Sequence, residues 1–122
     1  MKRKLSVIVP CYNEEKNIVK FYNKILEDLK DIDLELIFVN DGSKDKTQVE
    51  VDKILKNKDF KIKCINFSKN FGKESAMLAG LENVRKDADY ISIIDADLQQ
   101  NPKYLLKMYE YLNENKEIDE VA

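Results

Sequence analysis

The chain has 122 residues, room for one domain built on a single core. With 43% hydrophobic and 36% charged residues, the composition excludes a disordered segment and a disulfide-rich scaffold. A net charge of −2, from 21 basic and 23 acidic residues without a basic stripe, speaks against nucleic acid as a partner.

The start is basic, Met1 to Lys4, but only about six apolar-rich residues follow before Tyr12, too few for a signal peptide. No run approaches the ~20 apolar residues that span a bilayer, so the chain is expected in the cytoplasm. The run Leu5 to Pro10 is β-branched and reads as a first strand. Behind it Ile18, Phe21, Tyr22, Ile25, Leu26 and Leu29 recur at helical spacing. A second run, Leu34 to Asn40, precedes a helix carrying Val51, Ile54 and Leu55, with Asp45 and Thr47 as its cap. A third, Lys61 to Phe67, alternates and leads to a helix with Met77, Leu81 and Val84 on one face. Ala76, Ala79 and Gly80 on that helix predict close packing on a sheet. The fourth run, Tyr90 to Asp95, is followed by Asn101 and Pro102, an N-cap with proline in the first turn. Leu105, Met108, Tyr109 and Leu112 mark the last helix. Strict β-α alternation predicts an α/β fold, a Rossmann-like parallel sheet with helices on both faces. The tail, Glu117 to Ala122, reads as the approach to a fifth strand, so the domain is expected to be incomplete. Its unpaired edge beside the fourth strand would invite self-association into a homo-oligomer. Cys11 and Cys64 fit no metal spacing and read as reduced, buried thiols. Histidine is absent, which removes the commonest general base.

The chemistry-bearing residues fall just after the strands, where open α/β sheets bind ligands. Asp95 and Asp97, two apart, would point the same way in extended backbone. Carboxylates brought so close repel unless a cation joins them. A hard divalent ion with open positions for phosphates would fit, and Gln99 continues the spacing. The pair would equally suit the amino end of a helix, where the dipole favours aspartate. Asp41 could accept from a base or ribose, or simply form an Asx turn. Tyr12 could cover a nucleobase or be an ordinary exposed tyrosine. Gly72 and Lys73 stand before a helix, a place suited to diphosphate as well as to a solvated lysine.

Four segments taken together resemble family 2 glycosyltransferases: Val7 to Glu15, Val39 to Thr47, Asn70 to Gly80, and Asp95 to Gln99. They stand in the expected order and cover nearly the whole chain. The form Asp-Ala-Asp-Leu-Gln is most similar to the polyprenyl-phosphate branch, which holds dolichyl-phosphate mannose synthases and bactoprenol glucosyltransferases. Gln100 departs from that branch, where many members carry an acidic residue. The resemblance implies the amino-terminal, nucleotide-sugar-binding part of a GT-A domain with sheet order 3-2-1-4. It implies that Pro10, Tyr12, Glu14 and Asp41 hold the nucleoside of a UDP- or GDP-sugar. Asp95, Asp97 and Gln99 would hold Mg²⁺ or Mn²⁺ against the diphosphate, with Lys73 nearby and Asp97 as the catalytic residue. The implied reaction inverts the anomeric carbon and delivers the sugar to a polyprenyl phosphate, or alternatively to a glycan. Membrane contact would come only through a further carboxy-terminal part at the cytoplasmic face. This 122-residue stretch is expected to bind donor without full turnover.

Three other readings compete for the same residues. A receiver-type phosphoacceptor needs an aspartate ending the third strand, where Phe67 and Ser68 stand. A dinucleotide fold needs three clustered glycines, whereas Gly42, Gly72 and Gly80 are scattered. A nucleotide-binding module without turnover remains compatible with these residues.

Overall fold

Strands and helices alternate along the computed structural model, which describes residues 3–57, 59–97, 99 and 101–114. Gln100 and the tail from Glu117 to Ala122, singled out above, lie outside these residues. In chain order the elements are β1 (Lys4–Cys11), α1 (Ile18–Leu29), β2 (Asp33–Asn40), α2 (Thr47–Leu55), β3 (Lys61–Asn66), α3 (Lys73–Glu82), β4 (Tyr90–Ile93) and α4 (Pro102–Glu114). All strand pairs are parallel, and the order across the sheet is β3-β2-β1-β4, as expected. None of the described helices is long and apolar enough to cross a membrane.

The sheet buries both faces of its two central strands, because crossover helices lie above and below it. Leu5, Val7, Val9 and Cys11 of β1 point to one face, where α1, α2 and α4 supply Phe21, Ile25, Val51, Ile54 and Leu105. Phe21 meets Phe38 edge to face, with ring centroids 6.1 Å apart. Burying each such ring contributes roughly 1.5–3 kcal/mol. Ile8, Ile37 and Val39 point to the other face, which α3 covers through Ala76.

The contact face of α3 differs from the one its apolar spacing predicts. Val84 lies beyond the helix and Leu81 is exposed, while Ala76 and Gly80 are buried. The cause is close approach. A Cβ on Gly80 would overlap the Ile8 side chain, so the helix seats its smallest residues on β1. At α4 the expected start holds: Asn101 Oδ1 accepts the Lys103 N–H at 3.0 Å, and Pro102 opens the helix.

Opposite the candidate site, β2 buries a carboxylate. Glu35 is 0% exposed, yet its oxygens are occupied. Oε1 accepts from Ser6 Oγ at 3.0 Å and from the Arg85 N–H at 3.1 Å, and Oε2 lies 3.0 Å from Lys63 Nζ. Burial alone would raise its pKa, but Lys63 and these donors hold it below the ordinary 4.5.

Candidate functional site

Register places the loops of the site on one line. Cys11 pairs with Asn40, and Asn40 with Asn66, so β1, β2 and β3 end level and their loops leave from one edge. A cleft of about 470 Å³ opens there, lined by Pro10, Cys11, Tyr12, Glu14, Asp41, Asn70, Gly72, Lys73, Asp95, Ala96 and Asp97. Every residue put forward from the sequence except Gln99 therefore faces one cavity. Pro10 fits in a central strand because it pairs with Val39 of β2 and lies beyond Ile8, the last β1 residue that β4 pairs. Cys11 forms part of the wall, and burial pushes its thiol pKa far up, so it is an inert thiol. Cys64 is only half-buried, on β3.

Asp41 is 4% exposed, and its carboxylate is directed at the chain rather than at solvent. Oδ1 accepts the Phe71 N–H at 2.8 Å; Oδ2 accepts the Gly72 N–H at 3.1 Å and Asn70 Nδ2 at 3.1 Å. Those bonds hold the loop that delivers Lys73. Gly42 makes the approach possible. Its φ is +68°, and a Cβ there would overlap the Lys69 and Asn70 backbone.

β4 stops short of Asp95 and Asp97, contrary to the sequence-based expectation that a strand would carry them. β4 ends at Ile93, a last ladder bond runs from the Ile94 N–H to Ile8 O at 3.0 Å, and Ala96 and Asp97 form a turn. Asp97 closes that turn itself, its Oδ1 accepting the Gln99 N–H at 3.1 Å. Both carboxylates still line the cleft. Lys73 Nζ lies 3.0 Å from both oxygens of Asp95. The same turn carries Gln99 to a neighbouring depression between β4 and α4, beside Ile93, Ile94 and Tyr104. Among the described residues, no group of three or more His, Cys, Asp or Glu gathers at a metal-holding distance. Of the carboxylates that line the cleft, Asp95 and Asp97 are the pair that one turn brings there. That pair suits a hard cation such as Mg²⁺ or Mn²⁺ that keeps open positions for phosphate oxygens.

Tyr12 stands at the opposite wall, 42% exposed. Glu14 is turned toward α1, its Oε2 accepting from Asn17 Nδ2 at 2.8 Å. Asn13 between them adopts φ 54°, a left-handed conformation that asparagine tolerates. Sequence reasoning missed how this loop is held. Asn13, Glu14 and Glu15 give their N–H groups to side chains of Ser43, Thr47 and Asp45. The cap expected from Asp45 and Thr47 takes another form: Lys46 is the N-cap residue of α2 and makes no side-chain cap bond, while Asp45 Oδ1 accepts the Thr47 N–H at 2.9 Å.

Residues 6–121 match the sequence model of glycosyl transferase family 2. The chain is 43% identical over 98 residues to the prophage bactoprenol glucosyl transferase homolog of Escherichia coli K12, covering 79% of this chain and 31% of that protein. The structure superposes on TarS 1–349 of S. aureus in complex with UDP-GlcNAc with TM-score 0.77 and 26% identity, over 95% of this chain and 32% of that 1–349 chain. On the mannosyltransferase PcManGT from Pyrobaculum calidifontis, in complex with GDP-Man and Mn²⁺, the TM-score is 0.78 at 25% identity, over 92% of this chain and 33% of that one. The chain spans about a third of the length of the curated relatives it matches.

Proposed function

The chain belongs to glycosyl transferase family 2, and from that premise we propose that it forms the donor-binding half of a sugar-nucleotide-dependent glycosyltransferase. The observation that carries this reading is the convergence of Lys73, Asp95 and Asp97 on one cleft at the carboxyl edge of a parallel sheet. The cleft is mixed in charge, as a bound nucleoside diphosphate and a cation together require. Asp95 and Asp97 would hold Mg²⁺ or Mn²⁺, with the Gln99 N–H orienting Asp97. When bound, that ion supplies Lewis-acid neutralisation of the charge growing on the departing diphosphate. The Lys73 ammonium adds a second positive charge, delivered by a loop that Asp41 secures. Tyr12 and Glu14, with Pro10 behind them, form the wall for the nucleoside of a UDP- or GDP-sugar.

In the whole protein the acceptor oxygen attacks the anomeric carbon from the side opposite the leaving group, inverting it. The bond to the diphosphate oxygen breaks as the bond to the acceptor forms. We assign a polyprenyl phosphate as acceptor, supported by the likeness to a bactoprenol glucosyl transferase homolog. Such an acceptor arrives ionised near neutral pH and dispenses with a strong base.

Calorimetric titration tests the donor half. The chain should bind UDP or GDP with a Kd of roughly millimolar to tens of micromolar in Mn²⁺, ~4–6 kcal/mol, and more weakly in EDTA. Equal binding in both conditions, or tighter binding of NADH, would remove this reading. For the acceptor, a longer protein containing this chain should pass radiolabel from UDP-glucose or GDP-mannose into extractable polyprenyl phosphate. Label found only in polysaccharide would refute the acceptor and keep the donor site.

A further inference from the structure

The β2–α2 turn grips the β1–α1 turn with side chains. Ser43 Oγ accepts the Asn13 N–H at 2.9 Å, Thr47 Oγ1 the Glu14 N–H at 2.8 Å, and Asp45 Oδ2 the Glu15 N–H at 3.2 Å. Three successive amides of one turn thus end on three alternate residues of the other. A return bond runs from the Lys44 N–H to Asn13 Oδ1 at 2.9 Å. The Thr47 hydroxyl has a single proton, and it donates that proton to Asp45 Oδ1, leaving its lone pairs for Glu14. Thr47 is fully buried, so this orientation is fixed by packing as well as by bonding.

The arrangement has a chemical consequence at the cleft. Amides 13–15 belong to the turn between β1 and α1, whose first residue is Ile18. With those amides occupied, the residues flanking Asn13 are held against the cavity wall. We propose that Ser43, Asp45 and Thr47 are positioning residues of the nucleoside subsite. They fix Tyr12 and Glu14 for the base and ribose. The role assigned to Tyr12 and Glu14 rests on the donor-site reading above; the clamp itself rests on the hydrogen bonds.

Two measurements on this chain separate the two. Hydrogen exchange without ligand reads the clamp: Thr47→Val should speed exchange at amides 13–15 by about tenfold, the loss expected for one hydrogen bond. Titration in Mn²⁺ reads the subsite. Thr47→Val should raise the Kd for UDP or GDP about tenfold, leave inorganic pyrophosphate binding unchanged, and be rescued by Thr47→Ser. Ser43→Ala, at a half-buried position, should give the same pattern at amide 13 and serves if Thr47→Val does not fold. Unchanged exchange at 13–15 would overturn the clamp. Equal losses for pyrophosphate and nucleotide, or no rescue by Thr47→Ser, would overturn the positioning role. If the unaltered chain binds neither UDP nor GDP, the donor-site reading falls and the exchange rates alone judge the clamp.

Discussion

Lys73 extends its ammonium from the first turn of α3 to within 3.0 Å of both carboxylate oxygens of Asp95. The pair is part-exposed, so it adds little to stability, about 0–1 kcal/mol. If Asp95 holds a divalent cation as proposed, that ion and Lys73 would contend for one carboxylate. Lys73→Met should therefore strengthen binding of Mn²⁺ alone, read by loss of the free-ion EPR signal. The same variant should weaken UDP or GDP binding about tenfold, since a charged partner of the diphosphate is gone. Weaker Mn²⁺ binding in the variant would show that the two cations do not compete.

Asp97 and Asp41 should separate cleanly. Asp97→Asn substitutes a poorer ligand for a hard cation, so nucleotide affinity should become the same in Mn²⁺ and EDTA. Unfolding should shift by less than about 0.5 kcal/mol, because Asp97 closes a local turn. Asp41→Asn loses one acceptor oxygen toward Phe71, Gly72 or Asn70 in a buried setting, at about 1–3 kcal/mol. It should weaken nucleotide binding while the Mn²⁺ effect persists. Identical behaviour of the two variants would contradict this division.

Gly42→Ala should be costly for two reasons acting together. The left-handed φ penalises any Cβ by about 1–2 kcal/mol, and that atom would also push on the Lys69 and Asn70 backbone. We expect a loss above about 2 kcal/mol in urea unfolding, with weaker nucleotide binding as the 70–72 loop moves off Asp41. A loss under about 0.5 kcal/mol would mean that the loop gives way freely.

Removing Lys63 should reverse the acid response of the fold. In the unaltered chain Glu35 has a lowered pKa, so its stabilisation is complete above its ordinary 4.5 and is lost as pH falls through the lower folded value. Lys63→Met leaves a buried carboxylate without its ammonium, at about 3 kcal/mol near neutral pH. Burial then dominates and raises the Glu35 pKa, so the deficit should shrink as pH drops toward 4.5. Urea midpoints across that range check it; parallel curves for both proteins would refute the coupling.

What was legible in the sequence depended on how local its cause is. The buried stripe of α1 follows helical spacing, and Ile18, Phe21, Tyr22, Ile25 and Leu29 are indeed its buried residues. The Asn101–Pro102 start of α4 is likewise decided by neighbours in the chain. For α3, apolar spacing favoured Met77, Leu81 and Val84, whereas the small residues Ala76, Ala79 and Gly80 rightly marked a close approach to the sheet, and it is their face that turns inward. The site shows the same divide. Asp95, Asp97 and Lys73 carry their chemistry in their identity, and they meet at one cleft. Gln99 shared their spacing but follows a turn, not a strand, and faces elsewhere. The partners of Asp41 and Ser43 lie about 30 residues away in sequence, so only the folded chain discloses them.

The missing side chain at Gly80 gives α3 a pivot. Ile8 touches the helix there, seven residues, or about 10.5 Å of helix, from Lys73. A tilt of only about 10° about this contact would carry the helix's first turn roughly 2 Å, enough to break the ammonium's hold on Asp95. The place of the Lys73 ammonium at the cleft would thus shift with the depth at which the Ile8 side chain seats against Gly80. Substitutions at Ile8, out of reach of any ligand, would be felt first at Lys73.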